Sequence, residues 1–171
     1  MNARPLSLTL ALFASACGES PVASNQPSSP DLDAEESAAL YEVDRLREGS
    51  GVPGALIVCK ALSASASAHS DDMRDVGYVA EEGADGSTPR ERGCEAGYTP
   101  ACETAASLTE LIASGSGTGK DLVASWAADA GSRAALLDAS MIVAGIGRAK
   151  NGEGEIWWTL DLASVDHASC E

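Results

Sequence analysis

Trp126-Ala127-Ala128-Asp129-Ala130-Gly131-Ser132-Arg133-Ala134-Ala135-Leu136-Leu137-Asp138 is the stretch whose reading decides the fold. A segment from Lys120 to Ala128 runs into it, with Leu122, Val123 and Trp126 spaced to share one side of a helix. The spacing predicts a helix that buries that side. Asp129-Ala130-Gly131 is predicted to break it, because glycine tolerates the backbone angles of a tight exit. Ser132 and Arg133 then fall at the turn, and Ala134 to Leu137 packs back inward. A break of this kind places one side chain, Ser132, where a pocket could form.

Downstream, Met141 to Gly147 is a compact apolar run with β-branched residues and reads as a buried strand. Asn151-Gly152-Glu153-Gly154 is a hairpin turn. Ile156 to Leu162 alternates, with Ile156, Trp158, Leu160 and Leu162 on one face and Trp157, Thr159 and Asp161 on the other. That pattern predicts a half-buried strand paired with the preceding one. Upstream, Thr118 can cap the Lys120 helix with Asp121 as its partner three residues on. The glycine-rich Gly115-Ser116-Gly117-Thr118-Gly119-Lys120 is not a phosphate loop: position 114 is Ser and position 121 is Asp, where the motif needs Gly and Ser or Thr.

Earlier still, Glu35 to Glu48 is helix-like, ended by Gly49-Ser50-Gly51-Val52-Pro53. Leu62 to Val76 is the clearest helix, with Leu62, Ala66, His69, Met73 and Val76 in one continuous stripe closed by Gly77. His69 therefore reads as a core-facing, hydrogen-bonded residue rather than a ligand. Tyr78 to Glu82 could be extended. Asp85-Gly86-Ser87-Thr88-Pro89 is a turn feeding a helix through Ala96, with Pro89 at its first position and Ser87 or Thr88 as cap. Thr99 to Leu108 reads as irregular. Helices first and a hairpin last predict an α+β domain, with helices covering a small antiparallel sheet.

The 171 residues suffice for one domain plus a leader and a linker. A formal charge of −15 excludes nucleic acid as a partner, since phosphate binding needs clustered Lys and Arg. Met1 to Ala16 has a basic residue, the apolar run Leu6 to Phe13, then Ala14-Ser15-Ala16 before Cys17, which is the pattern of a secretory signal peptide. A Cys at the cleavage position resembles the bacterial lipoprotein signal, although the usual Leu three positions earlier is Ala14. The resemblance implies lipidation of Cys17, membrane attachment through that lipid, and residence in the cell envelope; ordinary secretion is the alternative. Residues 17–37 then serve as lipid-attachment site and Ser/Pro-rich tether, and residues 38–171 as the domain.

Four further cysteines remain, Cys59, Cys94, Cys102 and Cys170. An even number in an exported chain suggests two disulfides, with three possible pairings. Cys94 with Cys102 is local; Cys59 with Cys170 would then tie the start of the domain to its end. No Cys-x-x-Cys spacing or nearby His supports a zinc site.

Several pieces, in order, resemble one family: the CAP superfamily, the cysteine-rich secretory, antigen 5 and pathogenesis-related proteins. Leu62 to Met73, Asp85 to Pro89 with Arg92 and Ala96-Gly97-Tyr98, Glu110 to Gly115, Trp126 to Leu137, Ile142 to Gly147, and Trp157-Trp158-Thr159 carry the likeness over about residues 38 to 164. It implies an α-β-α sandwich. It also implies a cleft that in many members holds two His and one or two Glu residues and in some binds a divalent metal. Here the first His position falls on Glu81 and the second on Ser132, and the retained Glu falls on Glu110, with Glu103 as the competing register. A pocket of Glu81, Glu110 and Ser132 has no imidazole and suits zinc poorly, so no metal or other cofactor is expected; two carboxylates could hold calcium or share a proton. His167 reads as a surface residue near Cys170.

Two kinds of function compete on this reading. One is a non-catalytic, surface-tethered binding or envelope module whose ligand is a lipid, a glycan or a protein. The other is a hydrolase using Glu81 and Glu110 as an acid–base pair, assisted by metal or by Ser132 or a water as nucleophile. The missing imidazoles favour the first, because a lone Ser without a base is a weak nucleophile.

Overall fold

The computed structural model describes residues 32–171. The leader, Cys17 and most of the Ser/Pro-rich tether lie outside the described residues. The chain begins with α1 (Ala34–Gly49), whose capping box pairs the Asp33 side chain with the Glu36 backbone and the Glu36 side chain with the Asp33 backbone. Ala34 to Ser37, the last residues of the segment assigned to the tether, are helical, in keeping with the helix-like reading from Glu35 onward. The elements β1 (Ile57–Val58), α2 (Lys60–Val76), α3 (Pro89–Glu95), α4 (Thr99–Cys102) and β2 (Leu108–Ser114) follow. After them come α5 (Gly119–Ala128), α6 (Ala130–Leu136), β3 (Val143–Lys150), β4 (Ile156–Ala163) and a closing 3-10 turn over Ala168–Cys170.

The four strands form one sheet in the order β1-β3-β4-β2. β4 pairs antiparallel with both β2 and β3, while β1 pairs parallel with β3. The sheet is therefore mixed rather than purely antiparallel, and β1, only two residues long, has no periodicity to announce it. On one face, α1, α5 and α6 bury Ala39, Leu40, Val43, Leu122, Val123, Trp126 and Leu136 against Ala144, Ile146, Trp158, Leu160 and Leu162. On the other face lies α2, with α3 and α4 beyond it, over a smaller cluster of Cys59, Leu62, Tyr98, Ala101, Val143 and Ala163. The result is the α-β-α sandwich implied by the resemblance.

Every residue of β4 is buried. The expectation of an outward face bearing Thr159 and Asp161 fails because β4 is a central strand with helices on both sides. Against β3 the fit is closest: a Cβ on Gly145 would stand 2.2 Å from the Leu62 carbonyl carbon, and one on Gly147 2.2 Å from the Ser67 nitrogen. Backbone lies on backbone there, which is why α2 is made of Ala and Ser along this line.

The α5 break also differs from expectation. Asp129 alone makes it, ending α5 and capping α6 through a 2.8 Å bond from the Ser132 amide to its carboxylate. Gly131 lies inside α6 and needs no special angles. Thr88 caps α3 with Pro89 at its first position, and Thr118 caps α5 with Asp121, both as the sequence predicts. The disulfides are Cys59–Cys170 and Cys94–Cys102. None of the helices among the described residues is long and apolar enough to cross a membrane.

Candidate functional site: a clamped glutamate beneath α2

Glu110 sits in the middle of β2, directly opposite Asp161 on β4. Both side chains therefore project to the α2 face, where they are buried. Arg92, one turn into α3, reaches down to them. Its Nη2 donates to Glu110 Oε1 at 2.9 Å and Oε2 at 2.8 Å, and also to the Glu81 carbonyl at 2.8 Å. Its Nη1 donates to the Ser87 carbonyl at 2.7 Å. One guanidinium thus ties the 81–87 loop, α3 and β2 together around the glutamate. Charge-assisted bonds of this kind hold both groups in place when water is excluded.

His69 comes from above on α2. Its Nε2 lies 2.9 Å from the Ala80 carbonyl and 3.6 Å from Glu110 Oε1. A carbonyl can only accept, so Nε2 carries the proton and Nδ1 is the acceptor of a neutral ring. Burial, with the positive charge of Arg92 second, lowers the pKa of His69 and keeps it neutral. Tyr78 packs edge-on against the imidazole at 6.2 Å between centroids and donates its hydroxyl to Asp72. Asp72 also accepts from the Ala84 amide at 2.9 Å. Burial, reinforced by the Asp72 bond, pushes the Tyr78 hydroxyl up to about 12.

The two carboxyls do not share one charge state. Burial raises the Glu110 pKa, against the opposing pull of Arg92. Asp161 is fully buried, and its pKa rises well above the usual carboxylate range, first through burial and then through the charge of Glu110. Neither Asp161 oxygen makes a hydrogen bond of normal geometry; Ser65 beside it favours the ionised form, and Glu110 favours the protonated one. Asp161 therefore carries the proton of the pair while Glu110 is the ion-paired carboxylate. Six buried side-chain polar atoms lack a partner among the described residues, and five of them belong to Ser65, His69, Arg92 and Asp161. Such atoms cost stability, so their gathering at one place marks a site rather than scattered imperfections.

Of the residues expected at the site, Glu81 and Glu110 line one cavity of about 380 Å³. Ser132 is not with them: its hydroxyl bonds Asp129 at 3.0 Å in the first turn of α6, so it is a helix-cap residue. Glu103, the competing register, is exposed at the end of α4. His167 is exposed beside Thr99, as expected. Sequence reasoning placed His69 in the core without its site and passed over Arg92, Ser65 and Asp161. The available signal was the pair Gly145 and Gly147 opposite an Ala/Ser-rich helix. It implies a helix seated on the sheet, and hence a buried environment for Asp161. No group of three or more His, Cys, Asp or Glu among the described residues is arranged to hold a metal ion.

A search of curated proteins by sequence gives no match. Among solved structures, an outer surface protein from Borrelia burgdorferi is similar with a TM-score of 0.66 and 17% identity over 79% of this chain and 97% of its own. An extracellular SCP-domain protein from Bacillus anthracis is similar with a TM-score of 0.61 and 19% identity over 76% of this chain, which spans 41% of that protein. The model of the cysteine-rich secretory protein family matches residues 40–162. That span runs from within α1 to the penultimate residue of β4 and includes every residue of the clamped glutamate, so the chain belongs to the cysteine-rich secretory protein (CAP) family.

Proposed function

We propose that this protein is a non-catalytic binding module of the bacterial cell envelope, exported by its leader and held to a membrane through a lipid on Cys17. One observation carries the non-catalytic reading: Glu110, the retained family carboxylate, has both oxygens on Arg92 Nη2 and sits beneath a neutral His69. A general base needs a free lone pair within reach of substrate, and a nucleophile needs a base beside it. Ser132 gives its hydroxyl to Asp129, a carboxylate held below the usual range by its bonds to Ser132 and so a poor base, in a helix cap outside the Glu81 and Glu110 cavity. Two disulfides support an oxidising location. The outer surface and extracellular titles of the similar structures agree with export.

The test has two arms. Melting of the domain against cell-wall glycans and lipids should shift with one ligand class, and the shift should vanish in Glu110→Gln if the clamped cleft is the site. Cys17→Ser should move the protein from the membrane fraction to the soluble one. A Cys17→Ser variant that stays membrane-bound would remove the lipid anchor from the proposal.

The carboxylate hydrolase remains the second reading on one observation, that Glu81 and Glu110 share a cavity. It requires Glu110→Gln to abolish turnover of a glycan or ester substrate, whereas the binding reading expects no turnover from either form.

A further inference from the structure

Among the described residues, β2 has β4 on one side and no strand on the other. Two bonds fix which of its main-chain groups face β4. At one end the Ser164 amide donates to the Ser107 carbonyl at 3.1 Å, and at the other the Gly115 amide donates to the Ile156 carbonyl at 2.9 Å. In an antiparallel ladder the bonded pairs alternate, so Thr109, Leu111 and Ala113 also bond to β4. The main-chain groups of Leu108, Glu110 and Ile112 therefore point off the outer edge. Trp126 Nε1 takes the Ile112 carbonyl there, at 3.2 Å. The amides of Leu108, Glu110 and Ile112 and the carbonyls of Leu108 and Glu110 bond to no described residue.

The cavity of about 380 Å³ runs along this same edge, for Leu108, Thr109 and Glu110 line it in succession. Successive side chains of a strand point to opposite faces, so three residues in a row line one space only along the strand's edge. Glu110 is 4% exposed while its side chain is wholly buried, so what it presents to the cavity is main chain. Thr88, Pro89 and Arg90 line the cavity from the start of α3. β2 runs seven residues without Pro, Lys or bulge, the usual guards of an open edge. The opposite edge differs: β1 is only two residues long, and Asp44 takes the Leu56 amide beside it at 2.9 Å. The charges at the β2 edge are uneven. Glu81 lines the cavity, is exposed, and has no cation paired with it among the described residues. Arg90 is committed elsewhere, to the carbonyls of Ala101 at 3.1 Å and Ala106 at 2.7 Å. The chain as a whole carries a formal charge of −15.

We propose that the outer edge of β2 takes up an extended segment of a partner protein, which adds to the sheet as a further strand and sets a Lys or Arg against Glu81. The donors and acceptors of Leu108, Glu110 and Ile112 alternate with the repeat of an extended peptide, a match that neither a glycan nor an acyl chain offers. The proposal rests on the binding-module reading and names a ligand class for it.

The experiment pans a displayed library of random linear peptides against the disulfide-bonded protein and measures the enriched peptides, made synthetically, by calorimetry. They should share a basic residue. Only every second amide of an added strand faces β2, so N-methylation along the peptide should weaken binding by about tenfold at alternate residues and little at those between. That readout leaves the protein untouched. Glu81→Lys reverses an exposed charge without touching the core and should weaken binding by about threefold or more, with the melting midpoint unchanged. No enrichment, an N-methylation profile without a period of two, or binding unchanged in Glu81→Lys would each overturn the proposal. A glycan or lipid shift sensitive to Glu110→Gln, seen alongside such a failure, would leave the binding module standing and remove only the peptide.

Discussion

The two faces of the sheet are built on different principles. Under α1, α5 and α6 the core is large and apolar, with Trp126, Leu136, Ile146, Trp158, Leu160 and Leu162 packed together. The polar atoms of the two tryptophans are satisfied, Trp126 by the Ile112 carbonyl and Trp158 by that of Ser116. Under α2 the apolar cluster is smaller, and the space beside it holds Glu110, Asp161, Arg92 and His69 with most of the unpartnered polar atoms. Both disulfides are on this second side, at the start of α2 and between α3 and α4. The first face is held by burial. The second gives up burial for a polar site and is held instead by crosslinks and by close backbone packing.

That contrast is broken most directly at the crosslinks. Cys59–Cys170 spans 111 residues of chain and Cys94–Cys102 only 8. Loop-closure entropy predicts that removing the first by paired Cys→Ala changes costs about 4–5 kcal/mol and removing the second about 2–3 kcal/mol. Denaturant melts of the two double variants check the order; equal losses would mean that closing the long loop does not hold the α2 face.

On the apolar face, Trp158→Ala should cost about 3–5 kcal/mol, because a fully buried indole leaves a cavity that the sheet cannot close. Its effect should fall on stability alone, with the Glu110 site intact, as judged by retained ligand shifts. Gly147→Ala strikes the other face. Its Cβ would meet the Ser67 backbone at 2.2 Å, so α2 must lift, at about 1–3 kcal/mol. Because α2 carries His69 and Ser65, this smaller loss should disturb ligand binding more than Trp158→Ala does. The reverse ranking in a binding assay would show that the two faces are not separable.

The apolar face was also the more legible in sequence. Leu122, Val123 and Trp126 announce α5 by spacing, Thr118 announces its cap, and Trp158, Leu160 and Leu162 mark the inward side of β4. These signals are local, and local propensity and burial agree there. On the α2 face they disagree. Asp161 looks outward by alternation, His69 looks like ordinary core, and Arg92 sits in a short helix with nothing local to aim it. Their meeting depends on which helix covers which strand, a long-range fact recorded only faintly by Gly145 and Gly147. Ser132 misled for the opposite reason: its local setting, a break after a helix, resembles a pocket edge, yet Asp129 consumes it as a cap.

The finest test of the contrast is Asp161→Asn. If Asp161 holds a proton opposite Glu110, the amide reproduces the neutral side chain without the cost of keeping a carboxyl protonated above its unfolded pKa, and stability at neutral pH should rise by at least about 1 kcal/mol. The pH dependence is the sharper readout. A carboxyl whose folded pKa is raised binds more protons in the folded state than in the unfolded one. Its stabilisation is complete below the unfolded value of about 3.9 and is lost as pH rises through the folded value. His69, lowered in the fold, acts oppositely, since its stabilisation is present above about 6.5 and is lost as pH falls through its folded value. Asp161→Asn should therefore flatten the decline toward alkaline pH and leave the His69 loss on the acid side, while a matched change on the apolar face, such as Leu160→Val, shifts the whole curve without altering its slope. An unchanged slope in Asp161→Asn would place the proton elsewhere, and the α2 face would then be holding two charged carboxylates on the single guanidinium of Arg92.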